Sequence, residues 1–216
     1  MTKLLSTEQM AEFANSGCLF FEGLIDEDIN KEFLNDIGHT DIDDVDNIQH
    51  YFQNIKSSSS IPRIPAGTAL KDAYPLNSPL EKIFKNEIVS GAINSLVGSK
   101  TVVDHQFLHL TFPSKYYAKA NQRQMSQVNH QDSTIDPRTT FDIQLFYFPT
   151  AVTKEMGGTR YIPGTHLRIV NEMGIAKYQN IKGQKNIICK AGTIGIFHNG
   201  LWHGAGVNFS NDIRYM

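Results

Sequence analysis

Val128-Asn129-His130-Gln131-Asp132 lies in a half of the chain built of short apolar and β-branched runs. From Thr101 to Met216 these runs are separated by Gly, Pro and Asn turns. Strands are expected at 101–112, 126–131, 141–149, 159–162, 187–190, 193–198, 202–207 and 211–216. Many short strands without βαβ alternation point to an antiparallel jelly roll, not a doubly wound parallel sheet. His130 and Asp132 are two apart, so in an extended strand both side chains leave the same face. A jelly roll lays sequence-distant strands side by side, which lets Leu201-Trp202-His203-Gly204 carry His203 to that pair. Two histidines and one carboxylate are the ligand set of a non-haem Fe(II) facial triad. Arg214, eleven residues beyond His203, offers a planar fork for a carboxylate near such a metal.

Each residue also has a plainer role open to it. His130 reads equally as a half-buried strand histidine, and Asp132 as the opener of an Asx turn before Ser133-Thr134. His203 beside the lone tryptophan reads as core, and Arg214 as the surface partner of Asp212, a contact of little energetic consequence. The remaining histidines, His39, His50, His105, His109, His166 and His198, supply further chance partners. The order of the features separates the readings: HxD entering the sheet, a Gly-rich turn, then His and Arg near the end.

The front of the chain is helical in pattern. Ser6 and Gln9 fit a capping box whose helix should end near Gly17, and Cys18-Leu19-Phe20-Phe21 reads as a short buried strand. Asp26 is placed to cap a second helix ending at Gly38. Asn77-Ser78-Pro79 starts a helix whose stripe of Leu80, Ile83, Phe84, Ile88, Ile93, Leu96 and Val97 closes at Gly98. Between them, 39–66 is acidic and then Ser/Pro-rich, long enough to serve as a lid over a barrel mouth.

Composition narrows the class. At 216 residues, 40% hydrophobic and 19% charged, the chain reads as one domain over 1–216 with a helical front, 1–100, and a jelly-roll core, 101–216. A formal net charge of -2 gives no reason to expect nucleic acid or an anionic membrane as partner. Cys18 and Cys189, the two cysteines, form no CxxC and read as reduced core thiols. The start carries no long apolar signal segment and no run long enough to span a bilayer, so a cytoplasmic protein is the expectation.

Three motifs in this order resemble the phytanoyl-CoA dioxygenase-like branch of the Fe(II)/2-oxoglutarate oxygenases. They are His130-Gln131-Asp132, Gly157-Gly158-Thr159-Arg160-Tyr161-Ile162-Pro163-Gly164-Thr165-His166, and a closing segment. That segment runs from Ala191-Gly192-Thr193-Ile194-Gly195-Ile196-Phe197 through Leu201-Trp202-His203-Gly204-Ala205-Gly206 to Asn208 and Arg214. The resemblance implies a mainly β (α+β) fold: a double-stranded β-helix, jelly roll and cupin-like, with flanking helices that are mostly N-terminal. It implies Fe(II) on His130, Asp132 and His203, with open positions for 2-oxoglutarate and O2, and Arg214 on the far carboxylate of 2-oxoglutarate. In the 142–148 strand, where the family makes cosubstrate contacts, Gln144 is the polar candidate and Phe146 a pocket wall. The implied reaction is hydroxylation of a small-molecule C–H bond coupled to decarboxylation of 2-oxoglutarate to succinate and CO2. Asp132 fills the position a halogenase must vacate for chloride.

The chain departs from the family pattern in three places. Ala205 stands where the family often has Ser, and the basic-aromatic stretch before His130 (Tyr116, Tyr117, Lys119, Arg123) is long. The chain ends two residues after Arg214, as in a short member or one whose C-terminus is incomplete. Two other functions fit the residues: a cupin-like metalloenzyme that does not use 2-oxoglutarate and so has no need of Arg214, and a catalytically silent ligand-binding jelly roll.

Overall fold

The computed structural model describes residues 2–39, 51, 55, 60–119, 121–132, 141–168, 172–177 and 180–216. Most of the expected lid, 39–66, lies outside the described residues. In chain order the elements are α1 (Thr7–Ser16), β1 (Cys18–Phe21), α2 (Glu27–Asp36), β2 (Thr68–Ala69), α3 (Pro79–Lys85), α4 (Glu87–Val97), β3 (Val102–Val103) and β4 (Leu110–Thr111). There follow α5 (Ser114–Lys119), β5 (Gln127–His130), β6 (Ile143–Phe148), β7 (Thr159–Tyr161), α6 (Glu172–Ile175), β8 (Lys185–Asn186), β9 (Thr193–His198), β10 (His203–Ala205) and β11 (Arg214–Tyr215). They form two compact units: Met1–Leu5 with Ile25–His109, and Ser6–Leu24 with Leu110–Met216.

The first unit holds α2, α3, α4 and the β2–β3 pair. The apolar stripe expected to run unbroken from 79 to 98 is divided at Asn86, whose extended backbone (φ -53°, ψ 131°) ends α3. The Asn86 side chain accepts from the Ile88 and Val89 N–H groups, so one residue closes one helix and caps the next. Periodicity continued across the break because it records which side is buried and not whether the backbone turns. Asp26 precedes α2 as expected but its side chain makes no cap hydrogen bond.

In the second unit, α1 has the expected capping box, with Ser6 Oγ accepting from Gln9 N–H and Gln9 Oε1 accepting from Ser6 N–H. It ends at Gly17, which is left-handed at φ 77°. Two antiparallel sheets follow, ordered β1-β9-β6 and β5-β10-β7-β8, with β4 and β11 as a separate pair. β9 is buried at every position and lies between β1 and β6, as its unbroken apolar run Thr193–Phe197 requires. From β5 to β10 the chain crosses between the sheets, and Phe146, Phe148 and Phe197 from one sheet pack with Tyr161 from the other. This crossing of antiparallel strands around a shared core is the double-stranded β-helix expected.

The expected 101–112 strand is two short pairings, β3 and β4, and the stretch before His130 contains a helical turn, α5. Cys18 is buried and both cysteines are free thiols. No helix among the described residues is long and apolar enough to cross a membrane.

Candidate metal centre

His130 ends β5 and His203 begins β10, and the two are directly opposed in the antiparallel register. Asp132 lies two residues past the end of the strand, where its N–H donates to the Asn199 carbonyl at 3.2 Å. The residue between the two motif positions is not a spacer. Gln131 Nε2 donates to the carbonyls of Gly200 (2.7 Å) and Arg168 (2.8 Å), which ties the segment to the turn that precedes His203.

The donor atoms converge. His130 Nε2 lies 3.2 Å from Asp132 Oδ1, and His203 Nε2 lies 3.0 Å from Asp132 Oδ2. One ligand atom from each residue can be taken so that all three lie within 4.8 Å of one another. A metal with bonds of about 2.1 Å and ligands at right angles needs donors roughly 3 Å apart, so the spacing fits. Both rings are also held in the useful tautomer. His130 Nδ1 donates to the Val128 carbonyl and His203 Nδ1 to the Leu201 carbonyl, each at 2.9 Å. A carbonyl oxygen only accepts, so Nδ1 carries the proton and Nε2 presents its lone pair to the centre.

Burial by itself would raise the Asp132 carboxyl. Where no metal intervenes, the His130 and His203 rings donate from Nε2 to the carboxylate when that nitrogen also carries a proton. These bonds, the electrostatic contact with His203 and the Gln144 amide outweigh burial and hold the group well below the usual carboxylate range. A metal placed among these atoms would meet a carboxylate oxygen and the lone pairs of two Nε2 atoms, a hard and borderline donor set suited to Fe(II). Phe146 and Phe197, with ring centroids 6.1 and 6.3 Å from that of His203, form an apolar wall beside it.

The other two expected residues are placed differently. Gln144 Nε2 donates to Asp132 Oδ2, so this side chain acts first on the ligand carboxylate. Its Oε1 is buried without a hydrogen-bond partner. Arg214 is 5% exposed, and burial pushes its guanidinium down to about 10, still cationic at neutral pH. Its Nη1 donates to the Met156 (2.9 Å) and Gly157 carbonyls, and Nη2 to Thr111 Oγ1 (2.8 Å). Three of five N–H groups are thus spent on the scaffold, leaving Nε–H and one Nη2–H for a ligand. Asp212, the surface partner considered for Arg214, makes no ion pair with it among the described residues. Gly157, at φ 59°, is required here, because a Cβ would overlap the Val207 carbonyl.

Sequence reasoning passed over a second histidine pair. His166 and His198 are both buried, with ring centroids 5.2 Å apart. His198 Nδ1 accepts from Gly200 N–H (2.9 Å), and His166 Nε2 donates to the Ala14 carbonyl (3.1 Å). Among the described residues each ring's other nitrogen is buried without a partner, His198 Nε2 as donor and His166 Nδ1 as acceptor. Burial pushes His198 down to about 4, helped by its neighbour His166, and it lowers His166 too. The PGTH motif was the only sequence signal for this pair, and it did not reveal the partner.

A jelly roll that gathers two histidines and a carboxylate within ligand distance of one another defines the class as a β-helix protein with a candidate metal centre. The chain belongs to the phytanoyl-CoA dioxygenase family, whose description matches residues 13–216. No curated protein matches the sequence. Solved structures share the fold at low identity. The non-heme alpha-ketoglutarate-dependent carbocyclase SnoK from nogalamycin biosynthesis is 16% identical, with a TM-score of 0.63 over 100% of this chain and 84% of its own. AviO1 from Streptomyces viridochromogenes Tue57 is 16% identical, with a TM-score of 0.62 over 100% and 93%. HygX from Streptomyces hygroscopicus, solved with nickel and 2-oxoglutarate bound, is 12% identical, with a TM-score of 0.62 over 99% and 85%.

Proposed function

We propose that this protein is a non-haem Fe(II)/2-oxoglutarate-dependent dioxygenase that hydroxylates a small molecule. The observation that carries the reading is the convergence of His130 Nε2, Asp132 and His203 Nε2, with both rings locked by backbone carbonyls. Membership of the phytanoyl-CoA dioxygenase family supports it, as does a fold shared with HygX, which binds 2-oxoglutarate. Bound Fe(II) with 2-oxoglutarate and O2 supplies the oxidising chemistry, releasing succinate and CO2.

The chain's own residues would do the rest. His130 Nε2, His203 Nε2 and a carboxylate oxygen of Asp132 would hold the metal. Arg214, anchored by Nη1, presents its remaining N–H groups to the distal carboxylate of 2-oxoglutarate. Gln144 fixes the rotation of the Asp132 carboxylate, and Phe146 and Phe197 keep water from that wall.

Anaerobic titration with Fe(II), followed by 2-oxoglutarate, tests the reading. One iron per chain and stoichiometric succinate on admitting O2 are expected. Iron retained in full by Asp132→Ala, or turnover indifferent to 2-oxoglutarate, would overturn it. The second outcome would favour a cupin-like enzyme that needs no Arg214.

A further inference from the structure

The unit formed by Met1–Leu5 and Ile25–His109 contains a half-open cavity of about 510 Å³ between the Leu70–Asp72 turn and helices α3 and α4. We propose that this cavity is a binding site for an organic anion with a flat aromatic body, such as an aryl carboxylate. The proposal is independent of the metal-centre reading, because every lining residue comes from this unit and the metal-binding group from the other.

The volume falls within the range of small-molecule sites. Its apolar wall is made by Leu70 and by Tyr74 stacked on Phe84, with ring centroids 5.0 Å apart and planes at 15°. A parallel aromatic pair presents a flat edge against which a planar ligand can lie. Polar groups also line the cavity, the half-buried Tyr74 and Asn94 and the exposed Lys100. The Tyr74 hydroxyl and the Asn94 carboxamide make no hydrogen bond to other described residues, and Lys100 no ion pair. Burial pushes the Tyr74 phenol up to about 12, so it is a neutral O–H donor across the physiological range.

The charge around the cavity favours an anion. Lys71, Lys85 and Lys100 line it against the single carboxylate of Glu81. That carboxylate is already committed, to Lys85 Nζ at 2.5 Å and Asn77 N–H at 2.8 Å. Lys71 approaches Asp72 only at 3.8 Å, with both side chains mostly exposed, a pair that solvent screens. The C-terminal end of α4 opposes an anion, but the Asn94 and Gly98 carbonyls there accept from Gly98 N–H and Thr101 Oγ1. The site thus offers a donor from Tyr74, donors from Asn94 and Lys100, and an apolar slot.

Titration of the full-length chain with 2-naphthoate, followed by amide proton–nitrogen shifts, tests the site. Saturating shifts are expected at Leu70, Asn94 and Thr101, with the neutral isostere 2-naphthamide binding at least tenfold weaker. Lys100→Glu and Asn94→Leu should each weaken 2-naphthoate tenfold or more, whereas Lys190→Glu, in the other unit, should leave it unchanged. Absence of saturable shifts at those amides would overturn the proposal. So would equal affinity for the neutral isostere, or equal weakening by Lys190→Glu, which would mark a diffuse charge effect.

Discussion

His130 and His203 are directly opposed on β5 and β10, with ring centroids 4.4 Å apart. The candidate metal centre is therefore a property of one strand pairing, with Asp132 closing it from the residue after next. A two-residue slip in that pairing would separate the rings by two strand rises, about 7 Å, and abolish the centre.

The ligand assignment predicts a selective loss. His130→Ala and His203→Ala should lose iron and turnover while retaining the wild-type far-ultraviolet spectrum. His105→Ala and His109→Ala, outside the group, should retain iron. Metal analysis after anaerobic loading decides the matter, and full iron content in His130→Ala would sink the assignment.

Arg214 is held by backbone carbonyls, so its substitution has two effects that separate by residue type. Arg214→Lys keeps charge and bulk but loses the fork, and should raise the KM for 2-oxoglutarate strongly with iron binding nearly intact. Arg214→Ala should be worse, because cutting a charge-assisted contact costs on the order of 2–5 kcal/mol, and it also removes the Arg214 donor from the Met156 carbonyl, whereas the Gly157 carbonyl still accepts from Gly206 N–H. Succinate release equal to wild type in both variants would remove Arg214 from the cosubstrate site.

Gln144→Leu retains the side-chain volume but removes the donor to Asp132. Loss of such a supporting contact typically lowers metal affinity about 10–100-fold, and because His130 and His203 are the larger causes of the low Asp132 pKa, the loss should be similar at different pH values. Competition against a fluorescent chelator at two pH values measures it. Unchanged affinity at both would show that Gln144 does not position Asp132.

The buried His198 sets an acid limit on stability. Its folded pKa, about 4, lies below the ordinary value of 6.5. The unfolded chain therefore binds the extra proton first, and stability is lost as pH falls from 6.5 toward 4. At roughly 1.4 kcal/mol per pKa unit, the loss is about 3 kcal/mol. His198→Asn can still accept from Gly200 N–H through its amide oxygen, and urea denaturation should show a flatter pH dependence for it. Identical pH profiles for variant and wild type would refute the account.

What the sequence by itself determined is what local backbone geometry dictates. The Ser6/Gln9 box and the turn at Gly17 are contacts within four residues, so α1 was readable to its ends. The two-residue spacing of His130 and Asp132 suggested one shared face, although β5 ends at His130 and Asp132 is positioned by the turn beyond it, and the absence of βαβ alternation pointed to antiparallel sheets. Tertiary structure alone decided the rest. The pairing of His203 with His130 depends on sheet register. The Gln144 bond to Asp132 and the anchoring of Arg214 on the 156–157 carbonyls join residues far apart in the chain. The break at Asn86 and the His166–His198 pair were equally hidden. A hydrophobic pattern records only that a residue is buried, whereas hydrogen-bond partners and tautomers are fixed by what the fold brings within about 3 Å.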